Sequence, residues 1–171
     1  MSKQKILVPL DGSDFSRRIL PQIRQFFVAD HVQLHLLHVA ESPSGRVPAP
    51  SVPASSEYMD APYFHSSQDA NRSHHPIYAS QERDSLLALL QDDLRRDARS
   101  LERDGYEVVQ EVRFGEAAME ITHYAKKFKI DLIAMTTHGR TGLSRLIFGS
   151  VAEQITRTSP VPVMLLRPFD R

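Results

Sequence analysis

The apolar positions of this chain fall into short unbroken runs that alternate with stripes at three- and four-residue spacing. Ile6 to Leu10 is such a run, and it ends in Asp11-Gly12-Ser13. That is the pattern of a strand buried on both faces and followed by a tight turn. Ile19, Leu20, Ile23, Phe26 and Phe27 then recur at helical spacing, with Arg17, Arg18, Gln22, Arg24 and Gln25 between them. This predicts an amphipathic helix. Val32 to Val39, "VQLHLLHV", is rich in strand formers and embeds His35 and His38 among Leu and Val. Strand, helix and strand in succession imply a right-handed parallel crossover.

Residues 42–80 break the rhythm: Pro43, Pro48, Pro50, Pro53, Pro62 and Pro76 stand among many serines, without a usable hydrophobic period. The expectation is an inserted, largely irregular segment within a single domain spanning 1–171. Tyr58, Tyr63, Phe64 and Tyr78 set it apart from a plain linker and suit docking on the domain or on a partner. Periodicity returns with Leu87, Leu90, Leu94, Ala98 and Leu101, and Gly105 is placed to stop that helix. Tyr106 to Val112 predicts a third strand, and Gly115 opens a helix carrying Ala118, Ile121, Ala125 and Phe128. Asp131 to Thr137 predicts a fourth strand, a helix runs from about Val151, and "PVPVMLL" at 160–166 makes a fifth strand. Prolines 160 and 162 suit only an edge, where a missing N–H donor is tolerated. The alternation predicts an α/β fold, an open parallel sheet with helices on both faces.

Composition narrows the chemistry. Lys+Arg and Asp+Glu cancel at 21 each, so no global charge advertises nucleic acid or a charged membrane. With no cysteine, disulfides, thiolate catalysis and cysteine-based zinc sites are excluded. The apolar run in "MSKQKILVPLDGS" is too short for a secretory core, and no later run reaches bilayer length. A cytoplasmic protein without a membrane partner is the expectation.

In an open α/β sheet, ligands sit beyond the carboxyl ends of the strands where the strand order reverses. Two loops qualify: Asp11-Gly12-Ser13, and the stretch "THGRTGLSRLIFGSVAEQI" at 137–155. Gly139, Gly142 and Gly149 allow a backbone to approach phosphate oxygens without a Cβ, and the helix entry at Gly149-Ser150 offers outward-pointing amides. Arg140 and Arg145 add charge at the rim. The competing reading is structural: Ser150 to Glu153 is also an S-x-x-E capping box that satisfies the helix's own amides. Asp11 likewise suits either a ribose or adenine edge, or an Asx-turn over Gly12 and Ser13. The residues alone leave both alternatives open. His138 reads as a positioning residue, His35 and His38 as core-edge residues, and His65, His74 and His75 match no established ligand spacing. No G-x-x-x-x-G-K-[ST] loop, no G-x-G-x-x-G after the first strand and no G-x-S-x-G elbow occurs.

"KILVPLDGSDFS" and "MTTHGRTGLSRLIFGSVAEQITRTSPVPVMLLRP" together resemble the universal stress protein family, over nearly the whole chain apart from the insertion. In its ATP-binding members the closing signature reads G-x-x-G, nine residues, then G-[ST]. Gly139, residues 140 to 148 and Gly149-Ser150 fit it, while Thr136 stands where the first glycine belongs. The resemblance implies a Rossmann-like, five-stranded sheet of order 3-2-1-4-5 and a homodimer through the C-terminal strand. It also implies bound ATP, or AMP or ADP, with Mg or Mn held only through the phosphates. Asp11 and the backbone of Val39 would contact adenine and ribose; Gly139, Gly149, Ser150 and Val151 would hold the phosphates. Pro9, Leu10, Gly12, Ser13, Met135, Thr136, His138 and Arg140 complete the implied site. The expected function is that of an adenine-nucleotide-binding stress regulator acting through an unidentified protein partner. Little or no turnover is expected, since no base, nucleophile or dedicated metal ligand stands out. The alternative is a member that binds no nucleotide and serves as an interaction module. A nucleotidyl transferase or ATP pyrophosphatase would need a serine/glycine phosphate loop after the first strand, which "PLDGSD" meets only in part.

Overall fold

The computed structural model describes residues 3–41, 76–137 and 149–167, with side chains of the 76–103 helix described from Arg83 onward. The chain divides into two compact units, one comprising 1–41 and 88–171 and the other 42–87. Of the second, the described part is helical. The first contains all the described strands.

Five parallel strands, β1 (Gln4–Pro9), β2 (Val32–Ala40), β3 (Glu107–Phe114), β4 (Leu132–Thr136) and β5 (Val163–Leu166), form one sheet in the order β3-β2-β1-β4-β5. This is the expected class and the expected order. Alternating residues of β1 serve opposite faces, which is why its sequence reads as a continuous apolar run. Ile6, Val8 and Leu10 join Leu34 and Leu36 in one buried cluster, whereas Leu7 joins Leu37, Ile133 and Met135 in the other. The register that brings them together pairs Ile6 with Leu34 and Leu7 with Ile133.

Helices α1 (Asp14–Arg17), α2 (Ile19–Phe26) and α3 (Pro76–Arg103) precede β3; α4 (Ala117–Phe128) and α5 (Ser150–Thr158) follow it. Ile19, Leu20 and Ile23 of α2 and Leu94, Ala98 and Leu101 of α3 cover the first face. Ile121, Tyr124 and Ala125 of α4 and Ala152 and Ile155 of α5 cover the second.

Three expectations are corrected. The helix after β1 is broken at Arg18, because Pro21 has no N–H to bond back to the Arg17 carbonyl. Phe26, counted in the apolar stripe, is 61% exposed, since α2 ends there and the chain turns away. The third helix begins at Pro76, inside the segment read as irregular to residue 80. Proline is a loop signal in sequence, yet its missing N–H is no loss in a helix's first turn. The remainder of the predicted insertion, 42–75, lies outside the described residues. Gly105 does stop α3: its φ is +90°, and the Tyr106 N–H donates to the Leu101 carbonyl at 3.1 Å.

Candidate functional site

Strand order reverses between β1 and β4, whose carboxyl ends open side by side into a crevice. At the β1 end the chain turns through Asp11, Gly12 and Ser13. Gly12 takes φ +80°, a region that favours glycine. Asp11 Oδ1 accepts from the Ser13 N–H at 3.0 Å and from the Ser13 hydroxyl at 2.6 Å, an Asx-turn. Ser13 Oγ in turn accepts from the Ser16 N–H at 3.1 Å as the N-cap of α1. The structural reading of this turn therefore holds, and it coexists with a wall position for Asp11 in the pocket described below.

On the β4 side, Thr137 donates its N–H to the Leu166 carbonyl at 2.9 Å and accepts the Gly149 N–H on its own carbonyl at 2.7 Å. These bonds pin the start of α5 to the sheet. The capping box is not formed: the N-cap is Gly149, and Ser150 is already the first helical residue. The Glu153 side chain lies toward Arg157, with Oε1 3.9 Å from Nη1, a full helical turn along α5 rather than back at the cap. A cap without a side chain supplies no oxygen to the first amides of α5, so the positive end of that helix faces the crevice.

Between these two edges lies a pocket of about 240 Å³. Pro9, Leu10, Asp11 and Val39 line it from β1 and β2, Met135 and Thr136 from β4, and Gly149, Ser150 and Val151 from α5. All nine were singled out in the sequence. Gly12 and Ser13 do not line it but shape the turn that does. His138, Gly139 and Arg140, with Gly142 and Arg145, lie outside the described residues. Five further lining residues were missed: Ser16, Ala117, Ile121, Thr137 and Ala152. Ala117 and Ile121 had a readable signal, since a helix that follows a parallel strand starts at the same carboxyl edge as the other strand ends. Arg17, read as part of a polar helix face, donates to the Gly12 carbonyl at 2.7 Å.

The family model described as the universal stress protein family matches residues 3–167. The chain belongs to that family. Over 77 residues it is 38% identical to the universal stress protein MJ0531 of Methanocaldococcus jannaschii, a match covering 45% of each chain. The chain thus spans under half the length of that relative. The solved structure of protein MJ0577, from the same organism, superposes over 100% of both chains with a TM-score of 0.74 at 20% identity. A universal stress protein family member of Arabidopsis thaliana, solved with AMP bound, covers 97% of this chain and 92% of its own with a TM-score of 0.57 at 16% identity.

Beneath the sheet, this universal stress protein holds a polar network that its sequence did not reveal. His35 and His38, read as core-edge residues, are 4% and 2% exposed. Tyr124 of α4 donates its hydroxyl proton to His35 Nδ1 across 2.9 Å, and His35 Nε2–H donates to Gln33 Oε1 across 3.1 Å. In the neutral ring that burial favours, Gln33 Oε1 can only accept, so Nε2 carries the proton and Nδ1 accepts from the Tyr124 hydroxyl. The Gln33 amide donates onward to Glu107. Burial, reinforced by the charge of Lys5 and opposed by Glu107 and Glu111, holds the His35 pKa below its ordinary value. Burial also pushes the Tyr124 phenol up to about 12. Among the described residues no group of three His, Asp or Glu is gathered to hold a metal, and no helix is long and apolar enough to cross a membrane.

Proposed function

We propose that this universal stress protein binds an adenine nucleotide, ATP with AMP or ADP as alternatives, and acts as a regulator rather than a consumer of it. One observation carries the reading: a carboxylate, Asp11, and the uncapped start of α5 line one pocket at the point where the strand order reverses. The carboxylate suits ribose hydroxyls or the adenine edge. The helix start suits phosphate, which unpaired amides and the helix dipole attract. Pro9, Leu10, Val39, Met135 and Val151 supply apolar walls for the base. Gly149, Ser150 and Val151 would meet the phosphates, joined by His138, Gly139 and Arg140 of the signature loop. Mg or Mn would then be held by the phosphates rather than by protein side chains. The AMP bound to the Arabidopsis relative supports an adenine ligand for this fold.

The reading includes assembly. β5 is an edge strand whose four residues are all half-buried, and it pairs only with β4 among the described strands. A second copy of the chain would extend the sheet and cover those side chains. Signalling would then pass through an unidentified protein partner.

A second reading, an interaction module without nucleotide, has one observation in its favour. Thr136, at the position of the signature's first glycine, is a pocket-lining residue and only 5% exposed. Mass spectrometry of small molecules released from natively purified protein, followed by calorimetry with ATP, tests the two. Retained adenine nucleotide, or micromolar binding that Thr136→Gly tightens or weakens, supports the first. A folded protein that neither retains nor binds adenine nucleotide overturns it and leaves the module.

A further inference from the structure

The turn that bears Asp11 is held from α1 by two side chains: Ser16 Oγ donates to the Ser13 carbonyl at 2.9 Å, and Arg17 reaches the Gly12 carbonyl. Arg17, the last residue of α1, sends its guanidinium in three directions. Nη1 donates to the Gly12 carbonyl at 2.7 Å, Nε to Asp97 Oδ2 at 2.9 Å and Nη2 to Asp93 Oδ2 at 2.5 Å. Asp93 and Asp97 are four residues apart on α3 and share a face of it. With side-chain exposures of 25% for Arg17 and 14% for Asp97, the ion pair is largely withdrawn from solvent. Charge-assisted bonds keep more of their strength there than on an open surface.

What Arg17 holds is one peptide unit. The carbonyl of the Gly12–Ser13 peptide accepts from Arg17, and the N–H of that same peptide donates to Asp11 Oδ1 at 3.0 Å. Together with the Ser13 hydroxyl, which donates to the same oxygen at 2.6 Å, the orientation of this plane sets where the Asp11 carboxylate is directed. Gly12 gives the plane freedom to rotate, because a residue without Cβ passes readily between positive and negative φ. Some other group must remove that freedom, and Arg17 is the one that contacts the peptide oxygen.

We propose that Arg17, anchored by Asp93 and Asp97, is a positioning residue for the pocket: by fixing the Gly12–Ser13 peptide plane it sets the Asp11 carboxylate toward an adenine nucleotide. It touches no ligand itself. The inference takes its ligand from the nucleotide reading above; the peptide lock rests on the geometry alone. Lysine would keep the charge but lose the planar fork that serves three acceptors at once.

The test compares wild type, R17M, R17K, D97N, D11A and the R17M/D11A double variant by calorimetry with ATP, with thermal melting to establish folding. R17M should weaken ATP binding at least about tenfold, with R17K and D97N falling between it and wild type. In the D11A background the same R17M change should cost less than about twofold, because the carboxylate it positions is gone. A merely structural role would cost the same in both backgrounds, and that result overturns the proposal. So does a folded R17M with wild-type affinity; if R17M does not fold, R17K and D97N carry the same comparison. Amide hydrogen exchange gives a readout without nucleotide: Ser13 should exchange faster in R17M while Leu7 and Leu36 in the sheet stay protected. If wild type binds no adenine nucleotide, the functional reading fails on its own. Ser13 exchange then decides the positioning role, with acceleration supporting it and an unchanged rate overturning it.

Discussion

Replacing Tyr124 by Phe removes one oxygen from a side chain with no exposure and leaves its packing in place. The ring still lies 4.3 Å from Phe128 and beneath the Arg113 guanidinium at 4.8 Å. What changes is His35: its Nδ1 loses the hydrogen bond from the Tyr124 hydroxyl, 2.9 Å away inside the core. An acceptor stranded in this way costs about 1–3 kcal/mol, part of it offset because the hydroxyl itself need no longer be buried. We therefore expect Tyr124→Phe to lower stability by about 1–2 kcal/mol at pH 7.5, a fall of roughly 2–8 °C in Tm for a chain of this size. The pH dependence makes the test sharper. The Tyr124 pKa is raised from 10.0 to about 12, first by burial and then by Glu111 against Arg113. A raised phenol favours the neutral form in the folded state. Its contribution is thus complete below pH 10 and lost as pH rises through about 12. By pH 11 the wild type should have lost about 1.4 kcal/mol from this group, a loss that Phe cannot suffer. Urea denaturation of both proteins at pH 8, 9.5 and 11 measures the difference, in which the other tyrosines and lysines cancel. The wild-type advantage should be nearly the same at pH 8 and 9.5 and close near pH 11. An advantage that is absent at pH 8, or that stays constant across the series, would refute the account of this network.

On the acid side the sign is opposite. His35 has a folded pKa below 6.5, so the stability gained by keeping it neutral is complete above that pH and is lost as pH falls through and below it. Wild type should lose more stability than His35→Gln between pH 7.5 and 5 in urea titrations, and parallel curves would contradict the assignment. Gly149→Val tests the phosphate site with little strain, because Gly149 sits at φ −59° and ψ 145°, which any residue adopts. Folding should weaken by only about 1 kcal/mol through the poorer cap, while ATP binding falls at least about tenfold in calorimetry. Ser150→Ala should cost the binding less, about 0.5–1.5 kcal/mol if one neutral hydrogen bond is lost. Lysine at Leu165, on the edge strand, should convert a dimer to monomer or aggregate in light scattering, and a soluble dimer of unchanged affinity would rule out pairing through β5.

The class of fold was legible in the chain's pattern, because periodicity is a local property. A strand buried on both faces must be apolar throughout, as in Ile6 to Leu10, and a covering helix must carry a stripe, as in Leu94, Ala98 and Leu101. The ends of the strands followed from the same pattern, and with them the Asp11 turn and the Gly149-Ser150 helix entry, whereas the rest of the expected pocket wall came from the family resemblance. The order of the strands came from family resemblance, since apolar runs carry no record of their neighbours. Which polar groups meet depends on packing between distant segments. Nothing in the spacing of Arg17, Asp93 and Asp97, or of His35 and Tyr124, marks them as partners, because each pair is separated by about 76 to 89 residues of chain. Their encounter depends on how helices pack across the sheet. The capping box shows the converse: S-x-x-E was legible locally, yet the cap is Gly149, one residue upstream, whose N–H bonds the Thr137 carbonyl. A hydrogen bond to the strand end anchors Gly149 at the start of that helix, whose first residues line the pocket.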